Sequence, residues 1–584
     1  MRRRFIAAFA ASLIVTAAIA FLFFKTVYLP RHMASIIDRY LSALPLSIRY
    51  EIPSVGLFPP SLTFESIAVT LPLSSGEATF SSCTVSGLFA YLRGDGQLRV
   101  TCERIFFSLF VTDSLLSPSE SLPPPLSAPA NDEPRSISFP SIAFSVQEAI
   151  ISFAERHFSF ALSGAFSNDF VKATITPLTS RDDSFLTLTF SPREKHLTLL
   201  YNRFPIEPYT APWFTSLGTY ARGILSGTVE ATDISKNLLA TVDLSLEQVD
   251  IAHSFLDTEP FRLPFLRIYG ELSADMSHRY LFFNNLTFSL GGVEIYAHGT
   301  LDKTRFDATF LLPETPLNRL ATLVYNHLFE GFLMEGTLSA SLTAGGTVRP
   351  GSVVLDTIGI TGTVANIKQL TDRFERYKNG STSLFTSSLY TPLILLPPYI
   401  SYAVVLAEDA GFFLHPGIDF VEMDAAFKDN LSRRELRGGS TITQQLVKNL
   451  FLTRDKTILR KFREMLLAVE LDATLSKERI LELYLNLIEW GPNVFGIGDA
   501  ARFYFGKLPE ELLPHEAAWL ASIIPNPKRY QHEYLTRTLS EARTARIQRL
   551  LDLLFQNGHL SAELYIFSYT APLLFNHPSE GVSE

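Results

Sequence analysis

Gly438-Gly439-Ser440-Thr441-Ile442-Thr443-Gln444-Gln445-Leu446-Val447-Lys448 is the stretch on which the reading of this chain turns. Two glycines lead into a helix whose N-cap is Thr441 and whose third residue is Gln444, the form of a capping box. A glycine turn entering a helix N-terminus offers N–H groups and a positive dipole end, which suits an anion. Gln444 and Lys448 lie four apart and so share a face.

The charge around this stretch is one-sided. From Arg433 to Arg463 there are nine basic residues, opposed only by Glu435 and Asp455, in a chain whose net charge is −9. A solvated helix face normally mixes signs, so the cluster points to an anionic ligand. Bulk charge argues against nucleic acid as partner. Further on, Arg460, Lys461 and Glu464 fall within about one turn of a second helix, two cations beside one carboxylate. Upstream, Glu408-Asp409 stands between Ala403-Val404-Val405-Leu406 and Phe412-Phe413. Apolar surroundings push a carboxyl's pKa up, which suits a general base. Read singly, Glu408 could be a helix-end acid and Glu464 a salt-bridge partner. Together they describe an acid/base carboxylate beside a phosphate cradle.

Around this helical part the sequence changes period. From about Leu44 to Leu384 apolar and small polar residues alternate, as in Leu338, Ala340 and Leu342 against Thr337, Ser339, Ser341 and Thr343. Period two marks strands with one buried face. Gly-Thr pairs recur irregularly, for example at Gly227-Thr228 and Gly362-Thr363, and are read as strand starts. A Pro/Ser-rich loop at about 117–136 is expected to split the β region in two. From Pro392 onward helical patterns dominate. With 584 residues, 47% of them hydrophobic, the chain is long enough for several domains and is not disordered.

Arg2-Arg3-Arg4 precede an uncharged run from Phe5 to Phe24, closed by Lys25. Twenty helical residues span roughly 30 Å, the thickness of a bilayer core. The charge asymmetry places the N-terminus in the cytoplasm and the bulk of the chain outside. A cleaved signal peptide ending near Ala18-Ile19-Ala20 is the rival, although the apolar run is long for a signal core. Export leaves Cys83 and Cys102 open to two readings, a cross-strand disulfide about the turn Gly94-Asp95-Gly96 or two buried thiols.

Four ordered motifs carry a family resemblance. Glu408-Asp409-x-x-Phe412-x-x-His415-x-Gly417, the Gly438–Gln445 stretch, Arg460-Lys461-x-x-Glu464 and Lys477-x-x-Ile480-Leu481-x-x-Tyr484-Leu485-Asn486 resemble the peptidoglycan glycosyltransferases of glycosyltransferase family 51. Glu489-Trp490-Gly491-Pro492-Asn493 and Pro525-Asn526-Pro527-Lys528-Arg529-Tyr530 look most like the monofunctional biosynthetic transglycosylases. The resemblance implies a mostly-α, lysozyme-like domain that polymerises lipid II into glycan strands and releases undecaprenyl pyrophosphate. It implies Glu408 as general base and Glu464 as the second acidic residue. Ser440, Thr441, Gln444 and Gln445 would line phosphate and sugar subsites, with Lys448, Arg454, Arg460 and Lys461 neutralising the pyrophosphate. Asp409, Phe412, His415, Gly417 and Asn486 would hold the motifs together.

No cofactor is required by this reading. Some family members respond to divalent cations (Mg or Mn), but no ligand set is legible in the sequence. No lysine has a serine three positions before it, so a separate transpeptidase is expected to cross-link the product. The β-rich part, with its anchor, resembles the AsmA-like family, which implies a long curved sheet and a role as spacer, assembly element or lipid groove among envelope proteins. The expected organisation is multidomain: residues 1–25 a cytoplasmic tip and inner-membrane anchor, 26–385 a mostly-β periplasmic region, and 386–584 the glycosyltransferase domain with a helical extension. A rival from another class is a lipid-handling or scaffold protein whose C-terminal domain binds lipid II without turnover.

Overall fold

The computed structural model describes residues 47–576, except 58–59, 71–75, 87–97, 110–141, 154–155, 179–182, 208–219, 278–279, 326–328, 370–373, 379–389, 433–437 and isolated or paired positions that include Arg454. The expected anchor, the Pro/Ser-rich loop, the Gly94–Gly96 turn and four of the nine clustered cations therefore lie outside the described residues. Among the described residues no helix is long and apolar enough to cross a membrane. The chain falls into two compact units.

The first unit takes in 47–251 and 262–287 and is built of strands. They are β1 (Ser47–Tyr50), β2 (Ser54–Leu57), β3 (Pro60–Thr70), β4 (Gly76–Ser86), β5 (Leu98–Leu109), β6 (Ile142–Phe153), β7 (Arg156–Phe166), β8 (Val171–Pro177), β9 (Phe185–Ser191), β10 (His196–Pro205), β11 (Tyr220–Thr232), β12 (Asn237–Ala252), β13 (Phe261–Asp275) and β14 (Tyr280–Leu290). From β3 to β11 successive strands pair antiparallel, with one exception. β5 and β6 are parallel, Leu98 opposite Ile142. Parallel neighbours need a crossover of a dozen residues or more, and the stretch between these two strands, 110–141, lies outside the described residues. The Pro/Ser-rich segment thus does not divide the ladder, contrary to the sequence expectation; the sheet continues across it.

Cys83 faces Cys102 in the β4–β5 register, and the two form a disulfide. The bridge sits in a small apolar cluster with Val146, Ala149 and Phe160. Of the two readings left open by the sequence, the cross-strand bridge is the one realised. Gly227 lies inside β11, not at a strand start as expected. Its φ is +126°, and a Cβ there would come within 2.1 Å of the Asp243 carbonyl oxygen on the next strand. At Gly227, and at Gly346, where a Cβ would come within 2.2 Å of the Val354 carbonyl oxygen, the glycine answers to close backbone approach.

The second unit takes in 252–261, 288–349 and 353–584. It opens with β15 (Val293–Leu301), β16 (Arg305–Pro316), the short helix α1 (Leu317–Leu323), β17 (Met334–Arg349) and β18 (Ser352–Gln369). β15, β16 and β17 pair antiparallel. The expected apolar face of β17 is only partly covered: Leu338 is buried, whereas Leu342 is exposed.

The helical part follows: α2 (Pro398–Glu408), α3 (Phe420–Leu431), α4 (Ile442–Phe451), α5 (Ile458–Thr474), α6 (Lys477–Leu487), the hairpin β19 (Glu489–Gly491) and β20 (Val494–Phe495), then α7 (Gly496–Phe505), α8 (Pro514–Ile523), α9 (Pro527–Thr536), α10 (Glu541–Gln556) and α11 (Ala562–Thr570). α2 is apolar on all sides, with Ile400, Ala403, Val404 and Val405 buried, because it packs between α8 and α10. α4 packs against α5 and α6. Trp490, Trp519, Tyr484, Tyr504 and Phe412 are the largest fully buried side chains of this core.

β18 docks on α3. The Ile360 N–H donates to Asp424 Oδ1 at 2.9 Å, and the Phe420 ring lies where a Cβ on Gly362 would fall, 2.5 Å away.

Candidate active site

Pro398 at the first turn starts α2, and the helix ends on Glu408 with Asp409 as its C-cap. That ending places two adjacent carboxylates in different surroundings. Glu408 is half-buried, and burial pushes its carboxyl up to about 7; the Asp409 charge acts in the same direction. A hydrogen bond from Gln445 and the charges of Arg546 and Lys448 pull it down. Phe412 is fully buried beneath the site, whereas Phe413 is partly exposed.

Asp409 is buried and fully engaged. It accepts from His415 Nε2 at 3.0 Å and from the Ile442 N–H at 2.9 Å. The second bond lies at the N-terminus of α4, where a carboxylate is favoured by the helix dipole. The capping box read from the sequence is present: the Gln444 N–H donates to Thr441 Oγ1 at 3.1 Å, and the Thr441 N–H to Gln444 Oε1 at 2.9 Å. The Thr441 hydroxyl also donates to the Gly417 carbonyl at 2.7 Å. Gly417 has a φ of +88°, and a Cβ would meet the Ala468 carbonyl oxygen at 2.6 Å.

The sequence suggested that this helix end offers its N–H groups to an anion. In the structure Asp409 takes the Ile442 donor and Thr441 takes that of Gln444, because both partners are fixed by the preceding loop. Thr441 and Gln444 are buried; the Thr441 hydroxyl and Gln444 Oε1 serve the cap, whereas Gln444 Nε2 is buried without a hydrogen-bond partner, and Ser440 and Gln445 are only half-buried.

Gln445 donates its amide to Glu408 Oε2 at 2.9 Å and accepts at its own oxygen from the Tyr484 hydroxyl at 2.9 Å. Tyr484 is fully buried, and burial with the neighbouring Glu408 and Asp409 charges raises its pKa well above the usual phenol value, so it stays a donor.

The cations come from α4 and α5. Thr457 caps α5. Glu464 is buried, accepts from Arg460 Nη1 at 2.8 Å and pairs with Lys461. Lys461 Nζ also donates to Ser440 Oγ at 2.7 Å, joining α5 to the glycine turn. Lys448, one turn beyond Gln445, is exposed as a residue; desolvation of its ammonium by the surrounding groups is the first cause lowering its pKa, followed by Lys461 and Arg460, and Glu464 and Glu408 oppose this. Lys448 therefore lies within electrostatic reach of both carboxylates, and Glu408, Lys448, Arg460, Lys461 and Glu464 belong to one constellation. Arg454 lies outside the described residues.

Asn486 holds the segment that enters α2: its Nδ2 donates to the Thr391 carbonyl at 2.9 Å and its Oδ1 accepts from the Thr391 N–H at 2.8 Å. Lys477 donates to Asp472 and to the His415 carbonyl, and stands over the Phe412 ring at 4.6 Å. Among the described residues, Asp409, His415 and Asp419 form a group whose ligand atoms lie within 4.8 Å of one another. A cation seated there would compete with the Ile442 N–H and the His415 ring for Asp409, and Asp419 already caps α3. The donor set fits a structural strut better than a metal centre. Sequence reading missed Arg546, which lies on α10, far downstream of the motifs.

The site thus sets a carboxylate poised near neutrality beside cations held by a second carboxylate. A family model described as Transglycosylase matches residues 382–553. The biosynthetic peptidoglycan transglycosylase of Nitrosomonas eutropha is 52% identical over 147 residues, which are 25% of this chain and 60% of that protein. That of Nitrosospira multiformis is 41% identical over 170 residues, 29% of this chain and 74% of that protein. The chain belongs to the biosynthetic peptidoglycan transglycosylase family. It spans about 60% of the length of the first two relatives, both from Nitrosomonas. The solved penicillin-binding protein 1A from Haemophilus influenzae is similar over 24% of this chain and 17% of its own at 24% identity, with a TM-score of 0.16, too slight a likeness to argue from.

Proposed function

We propose that this chain is a membrane-anchored peptidoglycan glycosyltransferase that polymerises lipid II. In this reading the Glu408 carboxylate takes the proton from the acceptor sugar's 4-hydroxyl. The freed oxygen attacks the donor's anomeric carbon from the face opposite the leaving group. The bond from that carbon to the pyrophosphate oxygen breaks, and undecaprenyl pyrophosphate departs with inversion. Lys448, Arg460 and Lys461, with Arg454, meet the charge gained by the leaving group, which is where fixed cations lower a barrier most. Glu464 keeps Arg460 and Lys461 in place, and Ser440 and Gln445 edge the donor and acceptor positions.

The observation that carries the reading is Glu408 raised to about 7 within reach of the Lys448 charge. A base works best with a pKa near the operating pH. The anchor is the Phe5–Phe24 run with its flanking charges, which places the enzyme on the outer face of the inner membrane. The β-rich part, which we read as AsmA-like, couples the enzyme to envelope partners, with cross-linking left to a separate transpeptidase.

The test is direct. Full-length protein in detergent or vesicles, given lipid II, yields polymer, and Glu408→Gln lowers the rate by about 10²–10⁴. A wild type that binds lipid II but is as inert as Glu408→Gln rejects the enzyme in favour of a lipid-handling scaffold.

A further inference from the structure

α5 carries Arg460, Lys461 and Glu464 on the side described above, and its other side is held by segments far upstream. Arg463 follows Lys461 by two positions, about 200° around the helix. Its Nε donates to the Val324 carbonyl at 2.9 Å, and its Nη2 pairs with Asp257 at 2.7 Å. Both side chains of the ion pair are nearly buried, 12% and 7% exposed. Val324 is the C-cap of α1, so Arg463 supplies a donor to the carbonyl that ends that helix. In return the Leu256 carbonyl accepts from the Leu459 N–H at 3.1 Å, taking one of the first-turn donors of α5. The two anchor points, Leu459 and Arg463, bracket Arg460 and Lys461 along the helix.

Asp257, Leu256 and Val324 lie outside residues 382–553, the part matched by the family model. We propose that this upstream part of the unit is a built-in positioning element, and that Arg463 is a positioning residue which sets the placement of the pyrophosphate-binding cations through α5. The inference rests on the glycosyltransferase reading of the site, and it makes the catalytic helices of this chain dependent on residues 252–261 and α1. A rigid-body slip of α5 by a fraction of a turn would move Lys461 away from Ser440 while leaving the fold of α5 intact.

The experiment uses the full chain with Arg463→Ala, Arg463→Lys, Asp257→Ala and the Arg463→Ala/Asp257→Ala pair. Lipid II polymerisation is read as kcat and KM separately, and hydrogen exchange is followed in peptides covering 458–464. Arg463→Ala and Asp257→Ala each lower kcat about tenfold or more with a smaller change in KM, since misplacing a catalytic group by about 1 Å costs up to about a hundredfold. The pair is no worse than the poorer single variant, as expected of two ends of one contact. Arg463→Lys, which keeps the charge opposite Asp257, recovers part of the rate. Exchange in 458–464 quickens in both alanine variants while protection elsewhere in the helical part is kept. Unchanged exchange in 458–464 overturns the proposal, and so does faster exchange with wild-type kcat. A wild type without turnover would reject the proposed function instead, and the clamp would then stand or fall on the exchange data.

Discussion

Tyr484 donates its hydroxyl to Gln445 Oε1 at 2.9 Å, and this fixes which end of the Gln445 amide faces Glu408. With the oxygen taken, only the NH₂ group is left to point at the carboxylate, and it does so at 2.9 Å. Tyr484→Phe removes the lock. The amide can then present its oxygen to Glu408, which repels the ionised base and favours the protonated one. We expect a loss of activity of about tenfold and, because a half-buried acceptor loses its donor, a loss of stability of about 1 kcal/mol. Single-turnover polymerisation and urea denaturation measure the two effects. A variant with wild-type rate at every pH would show that the lock plays no part in the chemistry.

The pH dependence follows from the direction of the Glu408 shift. Its folded pKa, about 7, lies above its ordinary value, so the folded state holds an extra proton between the two. Stability from this group is present at acid pH and is lost as pH rises through about 7. Activity runs the other way, since the ionised form is the base: kcat/KM should rise through an acid limb near 7. Lys448→Met removes a charge that favours ionisation and moves the limb upward. Glu408→Gln flattens the profile while raising the thermal midpoint above pH 7. A limb near 4.5 in the wild type would contradict the desolvated base.

What the sequence could and could not tell follows from the range of each interaction. The capping box at Thr441 and Gln444 spans three positions and was legible, as was the apolar company of Glu408, because both are local. The Glu464 pairing with Arg460 and Lys461 follows from helix spacing. The Tyr484–Gln445 lock joins residues 39 positions apart on different helices, and periodicity carries no trace of it. That the Asp409 carboxylate returns to the Ile442 N–H, 33 positions away, is a tertiary fact that the sequence does not carry. In the β part the alternation gave strands, but the parallel β5–β6 pair reverses the division that the Pro/Ser-rich segment suggested.

The Cys83–Cys102 bridge closes a stretch of 19 positions between neighbouring strands. Loop-closure entropy for a ring of that size predicts a stabilisation of about 3 kcal/mol for the unit that contains it. Because the bridged pair is buried with Val146, Ala149 and Phe160, replacing both cysteines by serine also places two hydroxyls in an apolar cluster. Cys83→Ala/Cys102→Ala separates the two effects: it loses the covalent term and the packing of the two sulfurs but adds no hydroxyl. Denaturation of wild type with and without reductant, beside the alanine pair, checks this. Equal midpoints for oxidised and reduced wild type would remove the bridge from the stability of the unit.

Glu464 is the buried acceptor that Arg460 and Lys461 share, so its charge matters more than its shape. Glu464→Gln keeps the volume but leaves two neighbouring cations without the carboxylate between them. Breaking a buried pair from one side leaves an uncompensated charge, at a cost of about 3–5 kcal/mol, although Lys461 is partly open to solvent and can turn outward to relieve some of it. The same movement takes Lys461 from Ser440. The expected outcome is therefore a lower unfolding midpoint together with a kcat reduced by at least about a hundredfold, the scale seen when one fixed charge-stabilising group is lost. Raising the ionic strength should recover stability by screening the repulsion while doing nothing for kcat. Recovery of both by salt would mean that Glu464 serves only to balance charge and does not place Lys461.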